Sequence, residues 1–159
     1  MKTTLVQISQ AFDSISGIDS KLDFDLLEKF DQLITEFDPF KDLYNQVKSN
    51  YLDQYVSRDE NGNPKYTQQG NAIQFDIPPE NKNDYNNKIN QLNFEVVEVE
   101  IPQLKKDDLK SIKLTMPQYQ DIKWLLSDSD NTSINQESIT LEELKEKYKL
   151  KKIQPDNEN

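Results

Sequence analysis

The most constraining feature of the sequence is a regular apolar repeat in its first third. Apolar residues are separated alternately by four and three positions, and such a 3.5-residue repeat is typical of a helix with one continuous apolar seam. The seam comprises Leu26, Phe30, Leu33, Phe37, Phe40, Tyr44, Val47 and Tyr51. Any fold of this chain must therefore bury one face of a long helix.

Pro39 lies in the middle of this repeat. Asp38 could cap a second helix with Pro39 at its first position, because proline is tolerated where the backbone donor is not needed. The apolar repeat nevertheless keeps its phase through Pro39, and a break with a loop would usually lose that phase. The pattern therefore predicts one long helix that is kinked at Pro39. The seam is rich in Phe and Tyr, which favours burial against the protein's own sheet over self-association.

Shorter helices are predicted on both sides of the long one. Apolar spacing predicts a helix over residues 4–16 that stops at Gly17. Pro79 opens another helix, and Thr115 is the expected N-cap of a third. The segment that begins at Thr140 fits a capping box and predicts a last amphipathic helix.

Strands are predicted where apolar and polar residues alternate. Residues 73–77 and 94–101 show this alternation clearly, and residues 112–114 suggest a third, short strand. The expected fold class is α+β, with a long kinked helix and shorter helices packed on a small sheet of two or three strands. The expected organisation is one α+β domain (residues 1–127), a polar linker (128–139), a C-terminal helix (140–153) and a tail (154–159).

The C-terminal helix is expected to behave as an arm. Its apolar face, Leu141, Leu144 and Tyr148, needs a surface to cover it. Exchange of this arm with a neighbouring subunit would supply such a surface and would make a homo-oligomer.

The charge balance limits the classes of partner. The chain carries 29 acidic and 19 basic residues and a net charge of −10. Nucleic acids and anionic membranes attract basic surfaces, so neither is expected as a direct partner. The excess of acid is consistent with simple solubility or with mimicry of a polyanion toward a basic groove. The N-terminus lacks the apolar run of a signal peptide, and no stretch has the length of a membrane span, so an intracellular protein is expected.

Residue types that carry most enzyme chemistry are scarce. The chain has no His and no Cys, and Arg58 is its one arginine. Glu95, Glu98 and Glu100 are the best candidates for two-carboxylate chemistry or a hard-metal site, but they fit the solvated face of an amphipathic strand better. No calcium loop, phosphate-binding loop or nucleophile elbow is present in the sequence. The expectation is a protein without catalytic activity, cofactor or metal.

Tyrosines and aspartates are the candidate partner-binding residues. Tyrosines suit protein interfaces, where the ring is buried and the hydroxyl is bonded, although these could instead line the edge of the core. The candidates are Tyr44, Tyr51, Tyr55, Tyr66, Asp31, Asp42 and Asp53. One continuous patch of Asp31, Glu36, Asp38, Asp42 and Asp53 would favour polyanion mimicry, but their spacing suggests scatter over more than one face of the long helix.

The order of these parts resembles a group of small, uncharacterised proteins of tailed bacteriophages that includes a domain-of-unknown-function family. The resemblance covers about residues 20–127. It rests on the order and spacing of several segments, none of which is a specific motif by itself. They are Tyr51-Leu52-Asp53-Gln54-Tyr55, Asp59-Glu60-Asn61-Gly62-Asn63, Pro78-Pro79-Glu80-Asn81, the strand of residues 95–101 and Ile112-Lys113-Leu114-Thr115. Pro39 and residues 128–159 depart from the group's pattern.

The resemblance implies a phage-encoded accessory protein that acts by binding another protein in the host bacterial cytoplasm or in the virion. A role in virion assembly or structure is expected, with a phage structural protein as the partner. The alternative is an acidic inhibitor of a host defence enzyme or a host nucleic-acid enzyme.

Overall fold

A computed structural model shows the predicted α+β class and describes residues 1–18, 21–70, 72–110, 112–126, 134 and 136–148. The helices are α1 (Leu5–Ser16), α2 (Phe24–Tyr55), α3 (Pro79–Asn93), α4 (Met116–Ile122) and α5 (Leu141–Tyr148). The strands are β1 (Lys2–Thr4), β2 (Tyr66–Gln69), β3 (Ala72–Phe75) and β4 (Val96–Glu98), and 3₁₀ turns occupy Lys106–Leu109 and Lys123–Leu125.

α2 is the single long helix that the apolar repeat predicts, and it continues through Pro39. Asp23 caps its first turn, because the Asp23 carboxylate accepts a hydrogen bond from Leu26 N at 2.9 Å. The buried side of the helix follows the seam and consists of Leu26, Phe30, Leu33, Phe37, Phe40, Leu43, Tyr44 and Val47. α2 is therefore the axis of the core.

The other helices cover this buried side. α2 packs against α1, α3 and α5, and α4 packs against α1. α1 begins one residue after its predicted start, because Thr4 is its N-cap, and it ends before Gly17, whose N donates to Asp13 O at 3.1 Å. The rings of Phe37 and Trp124 stack with their centroids 6.0 Å apart, and Phe37 is fully buried. The core thus joins segments from both ends of the chain.

The described strands form two separate two-stranded sheets, whereas the sequence predicts one small sheet. β1 pairs with β4 and β2 pairs with β3, both antiparallel. The two predicted strands that form, β3 and β4, each pair with a strand that was not predicted. β1 was missed because three residues are too few to show an alternation, and β2 because most of its residues are polar.

Residues 112–114 do not form the predicted third strand. Ile112 N instead donates to Leu109 O at 3.3 Å and closes a turn after the 3₁₀ segment. The Ile112 side chain is buried in the core, while Leu114 is half-buried. The alternation of apolar and polar residues at this point therefore belongs to a loop whose apolar side chains pack toward the core, and not to a strand.

Hydrogen bonds beyond the end of the β1–β4 pairing hold the first residue of the chain in place. The Met1 ammonium donates to Val99 O at 2.6 Å, and Val99 N donates to Met1 O at 2.9 Å. Thr3, opposite Val97 in the register, is buried with it. The β1–β4 sheet thereby closes one side of the core.

The C-terminal helix packs on the same core. Most of the predicted linker, residues 128–133 and 135, lies outside the described residues. The predicted capping box is confirmed, because Thr140 N donates to Glu143 Oε2 at 2.8 Å and Glu143 N donates to Thr140 Oγ1 at 3.2 Å. Leu144 is fully buried in the core cluster, so the apolar face of this helix has its cover within the chain. The predicted end of the helix and the tail, residues 149–159, lie outside the described residues.

Candidate functional site

One face of the β2–β3 hairpin presents apolar side chains to solvent. Tyr66 pairs with Phe75 in the register, and their rings meet edge to face with centroids 6.2 Å apart. Ile73 lies two residues before Phe75 and therefore points to the same face of the strand. Tyr66 is 59% exposed, Ile73 58% and Phe75 38%. These three residues are called the hairpin face below.

The hairpin is attached to the end of α2 through the backbone. Ser57 N donates to Asp76 O at 2.7 Å, Lys65 N to Ser57 O at 2.7 Å, and Asp76 N to Lys65 O at 2.9 Å. At the tip, Gly70 has a φ of 60°, a left-handed conformation that glycine adopts without strain. Because an isolated two-stranded hairpin is marginally stable in water, this attachment supports it.

A cleft of about 680 Å³ lies beside the hairpin, between the end of α2 and α3. Phe75 of the hairpin and Tyr85 of α3 both line it. The ring of Tyr85 packs edge to face on Tyr55, with centroids 5.9 Å apart, and the Tyr55 hydroxyl donates to Asp84 Oδ2. The hydrogen bond to Asp84, together with burial, raises the pKa of Tyr55 to about 12. The hairpin face therefore continues into a concave surface with an aromatic wall.

The four predicted tyrosines occupy different environments. Tyr44 is a core residue, whose hydroxyl donates to Asn93 Oδ1 at 2.6 Å and whose pKa is raised by burial. Tyr51 and Tyr55 are half-buried, and the Lys88 ammonium lies 5.5 Å from the centroid of the Tyr51 ring. Of the four, Tyr66 alone leaves more than half of its surface open. The structure therefore does not bring the predicted tyrosines together as one surface.

The three predicted aspartates are exposed, but they are not equivalent. Asp53 accepts a hydrogen bond from Arg58, which also donates to Gly62 O at 2.8 Å and so links the end of α2 to the following turn. Asp31 and Asp42 are eleven residues apart, about three helical turns, and therefore share the outer face of α2. Asp53 follows Asp42 at the same interval.

The five acidic residues that could form one patch on α2 do not all share one side of the helix. At about 100° per residue, Asp38 lies within roughly 40° of Asp31 and Asp42 on the outer face of the helix. Glu36 alone among the five points well away from this line. Between Asp42 and Asp53, the outer face carries no acidic residue over about three turns.

A second cleft, of about 630 Å³, lies between α3, β4 and α5. Glu95 lines it and is largely buried, and its Oε2 accepts hydrogen bonds from Lys147 Nζ at 2.7 Å and from the Tyr148 hydroxyl at 3.0 Å. Burial first, and then the charge of Glu95, raises the pKa of Tyr148. The Glu95 carboxylate is thus engaged in holding α5.

The other two candidate carboxylates face solvent. Glu98 and Glu100 are exposed, and the Ser138 hydroxyl donates to Glu98 Oε2 at 3.4 Å. Within the described ranges, no group of three or more His, Cys, Asp or Glu residues is placed to hold a metal ion.

The hairpin face and the Glu95 contacts were not identified from the sequence. One local signal was available for the hairpin. Gly70-Asn71 separates the two short segments that become β2 and β3, and a Gly-Asn pair between two strands is typical of a two-residue hairpin turn. Nothing local indicates that Glu95 meets residues more than fifty positions later.

No helix in the part of the chain that the structure describes combines the length and the apolar character needed to cross a membrane. No protein-family model, curated protein or solved structure matches the chain.

Proposed function

We propose that this protein acts without catalysis, by binding another protein through the hairpin face. The exposure of Tyr66, Ile73 and Phe75 carries the proposal. Contiguous exposed apolar residues on a folded protein often mark an interaction site. Aromatic side chains are frequent anchors of protein interfaces, because a large rigid ring is buried at a small loss of conformational entropy.

The hairpin also offers backbone groups to a partner. In the described residues, β2 and β3 pair with each other alone, so each strand has one free edge. A partner strand that pairs with such an edge forms main-chain hydrogen bonds, while alternate side chains contact the hairpin face. The cleft beside Phe75 and Tyr85 can receive a side chain of that strand.

The setting of this binding follows from the resemblance to accessory proteins of tailed phages. We propose a phage structural protein as the partner and a role in virion assembly or structure. The protein would then be found in the cytoplasm of the infected bacterium and, if it stays bound, in the virion.

The alternative is an acidic inhibitor of a host defence enzyme or a host nucleic-acid enzyme. The outer face of α2 favours it, because Asp31, Asp38, Asp42 and Asp53 lie along one side. Their charge density is low, however. Four charges over about 33 Å of helix amount to roughly one per 10 Å, against about one per 1.7 Å of duplex DNA. Polyanion mimicry is therefore the weaker proposal.

A capture experiment separates the two proposals. Tagged wild-type protein, the double variant Ile73→Thr/Phe75→Thr and the control Ala72→Thr are each incubated with a lysate of phage-infected bacteria. Thr preserves strand propensity, and Ala72 is exposed on the opposite face of β3 and does not line the cleft. A virion protein that is retained by the wild type and the control but lost by the double variant supports assembly. A host nuclease that all three retain overturns the proposal in favour of inhibition.

A further inference from the structure

The hairpin has two free edges, and the cleft beside it distinguishes them. Five successive residues, 73–77, line the cleft from β3 and the segment after it, whereas β2 contributes Thr67 among the described residues. Successive side chains of a strand point to opposite faces, so a space that all five residues contact runs along the outer edge of β3. Lys82, Tyr85 and Asn86 line the same space from one face of α3. This space along β3 and α3 is called the β3 groove.

Backbone groups along this edge are unpaired. Asp76 N donates to Lys65 O at 2.9 Å, so the backbone of Asp76 faces the chain that leads into β2. Because this direction alternates along an antiparallel strand, Gln74 also faces β2, while the N–H and C=O groups of Ile73 and Phe75 point away from it. In the part of the chain that the structure describes, no backbone hydrogen bond from outside the hairpin reaches these four groups. They are the donors and acceptors that a further strand needs.

We propose that the β3 groove binds an extended, uncharged apolar segment of the partner protein, which adds to the hairpin as a third strand on β3. This inference rests on the proposed function and specifies the partner's part in it. Partner residues opposite Ile73 and Phe75 extend the hairpin face, and the partner residue opposite Gln74 enters the groove. Since β3 has four residues, the paired segment is short.

The charges of the groove determine the chemistry of its occupant. A chain of net charge −10 attracts basic partners in general. The described lining of the groove, however, contains one acid and one base, Asp76 and Lys82, so that neither sign prevails there. A charged side chain that entered the groove would lose hydration without gaining a free partner of opposite charge. Uncharged side chains, large enough to contact Leu52 and Tyr85, therefore fit the groove best.

A second copy of the hairpin fits the groove less well. In antiparallel pairing of two β3 strands, Ile73 and Phe75 of one copy lie opposite the same residues of the other. The side chains on the groove side are then the small Ala72 and the polar Gln74. Two chains of net charge −10 also repel each other. The occupant is therefore a segment of another protein.

Proline substitution on each edge of the hairpin tests strand addition. Ile73→Pro removes an outward N–H group from β3, and Gln68→Pro makes the same change at the paired position on the outer edge of β2. Ile73→Thr removes the apolar side chain but keeps the N–H group. A displayed library of random-sequence peptides is selected on the wild-type protein, and the affinity of the selected peptides for each protein is measured by fluorescence anisotropy.

The selected peptides should share a short run of uncharged apolar residues. Ile73→Pro should weaken their binding at least about tenfold relative to Ile73→Thr, because a main-chain hydrogen bond is lost and the proline ring obstructs the edge. Gln68→Pro should stay within about threefold of the wild type.

Amide hydrogen exchange in the wild-type protein gives a readout that does not depend on how a variant folds. Measured by NMR, exchange at Ile73 and Phe75 should slow at least about tenfold when the peptide binds, because both amides become hydrogen-bonded. Exchange at Tyr66 and Gln68, on the outer edge of β2, should stay unchanged.

Several results would overturn strand addition on β3. They are a library without binders, selected peptides that are predominantly basic, or protection at Gln68 in place of Ile73. Protection of Ile73 in the free protein that disappears on dilution would identify a second copy as the occupant. Peptides that lose affinity in Ile73→Thr/Phe75→Thr without any amide protection would overturn strand addition but leave binding through the hairpin face intact. Peptides that bind this double variant as tightly as the wild type would contradict the proposed function itself.

Discussion

The hydroxyl of Tyr148 in α5 donates a hydrogen bond to Glu95 Oε2, between α3 and β4, at a distance of 3.0 Å. Lys147, the preceding residue, donates to the same oxygen at 2.7 Å. Together with the buried Leu144, these contacts fix the C-terminal helix to the body of the protein. α5 is therefore part of the fold, although the sequence suggested an arm beyond a linker.

Removal of the Tyr148 hydroxyl should destabilise the protein. Tyr148→Phe retains the ring but takes one donor from a largely buried carboxylate, and we expect a loss of roughly 1–2 kcal/mol in the free energy of unfolding. Denaturant unfolding measures this loss. Tyr66→Phe, which removes an exposed hydroxyl, should change stability by less than about 0.5 kcal/mol. Equal effects of the two substitutions would show that the Glu95 contact contributes nothing.

Stability should also fall at high pH, in part through Tyr148. Its pKa is raised above the ordinary tyrosine value of 10.0, by burial and by the charge of Glu95. The folded protein thus holds this proton more tightly than the unfolded chain does. The stabilising contribution is complete below the unfolded pKa and is lost as the pH rises through the folded pKa.

The measurement is the free energy of unfolding on both sides of pH 10.0. We expect a decline on the alkaline side that is shallower in Tyr148→Phe, which lacks the titrating group. Tyr44, Tyr51 and Tyr55 also have raised pKa values, so part of the decline should remain in the variant. A decline of identical slope in both proteins would exclude the contribution of Tyr148.

Replacement of Pro39 should stabilise the long helix. Pro39 has no N–H to donate to the carbonyl of Thr35, one turn earlier, and proline inside a helix costs about 3 kcal/mol. Pro39→Ala restores the donor but removes a half-buried ring, so we expect a net gain of roughly 1–2 kcal/mol. Thermal or denaturant unfolding measures it.

Pro102→Ala is a suitable comparison, because Pro102 lies outside the helices and strands. Alanine there gives the unfolded chain more freedom, so a loss of about 0.4–1 kcal/mol is expected. A loss of stability in Pro39→Ala would mean instead that the packing of the core depends on the local geometry at Pro39.

The sequence predicted the parts of the fold that depend on long local patterns. α2 was predictable because its seam repeats over seven turns, and only one helix face can bury all of those residues. The caps at Thr115 and Thr140 were predictable for a similar reason, since the bonded atoms lie within three residues of each other. The β1–β4 sheet was not, because β1 pairs with a strand more than ninety residues later.

The candidate site was less predictable than the fold. Alternation over residues 73–77 correctly indicated that Ile73 and Phe75 share a face, but it cannot indicate whether another layer covers that face. The tyrosines show the same limit. Tyr44 and Tyr51 both belong to the seam of α2, yet one is enclosed by the core and the other is half-buried beside the Glu95 cleft. Exposure depends on neighbours that are distant in sequence.

The most direct test of binding through the hairpin face is the dissociation constant of a captured partner, measured by titration calorimetry. Ile73→Thr/Phe75→Thr should weaken binding by about thirtyfold or more, which corresponds to the 2 kcal/mol of an interface hot spot. Ala72→Thr, on the other face of the same strand and outside the cleft, should bind within about threefold of the wild type. Wild-type affinity in the double variant, with its fold intact by circular dichroism, would contradict the proposed function.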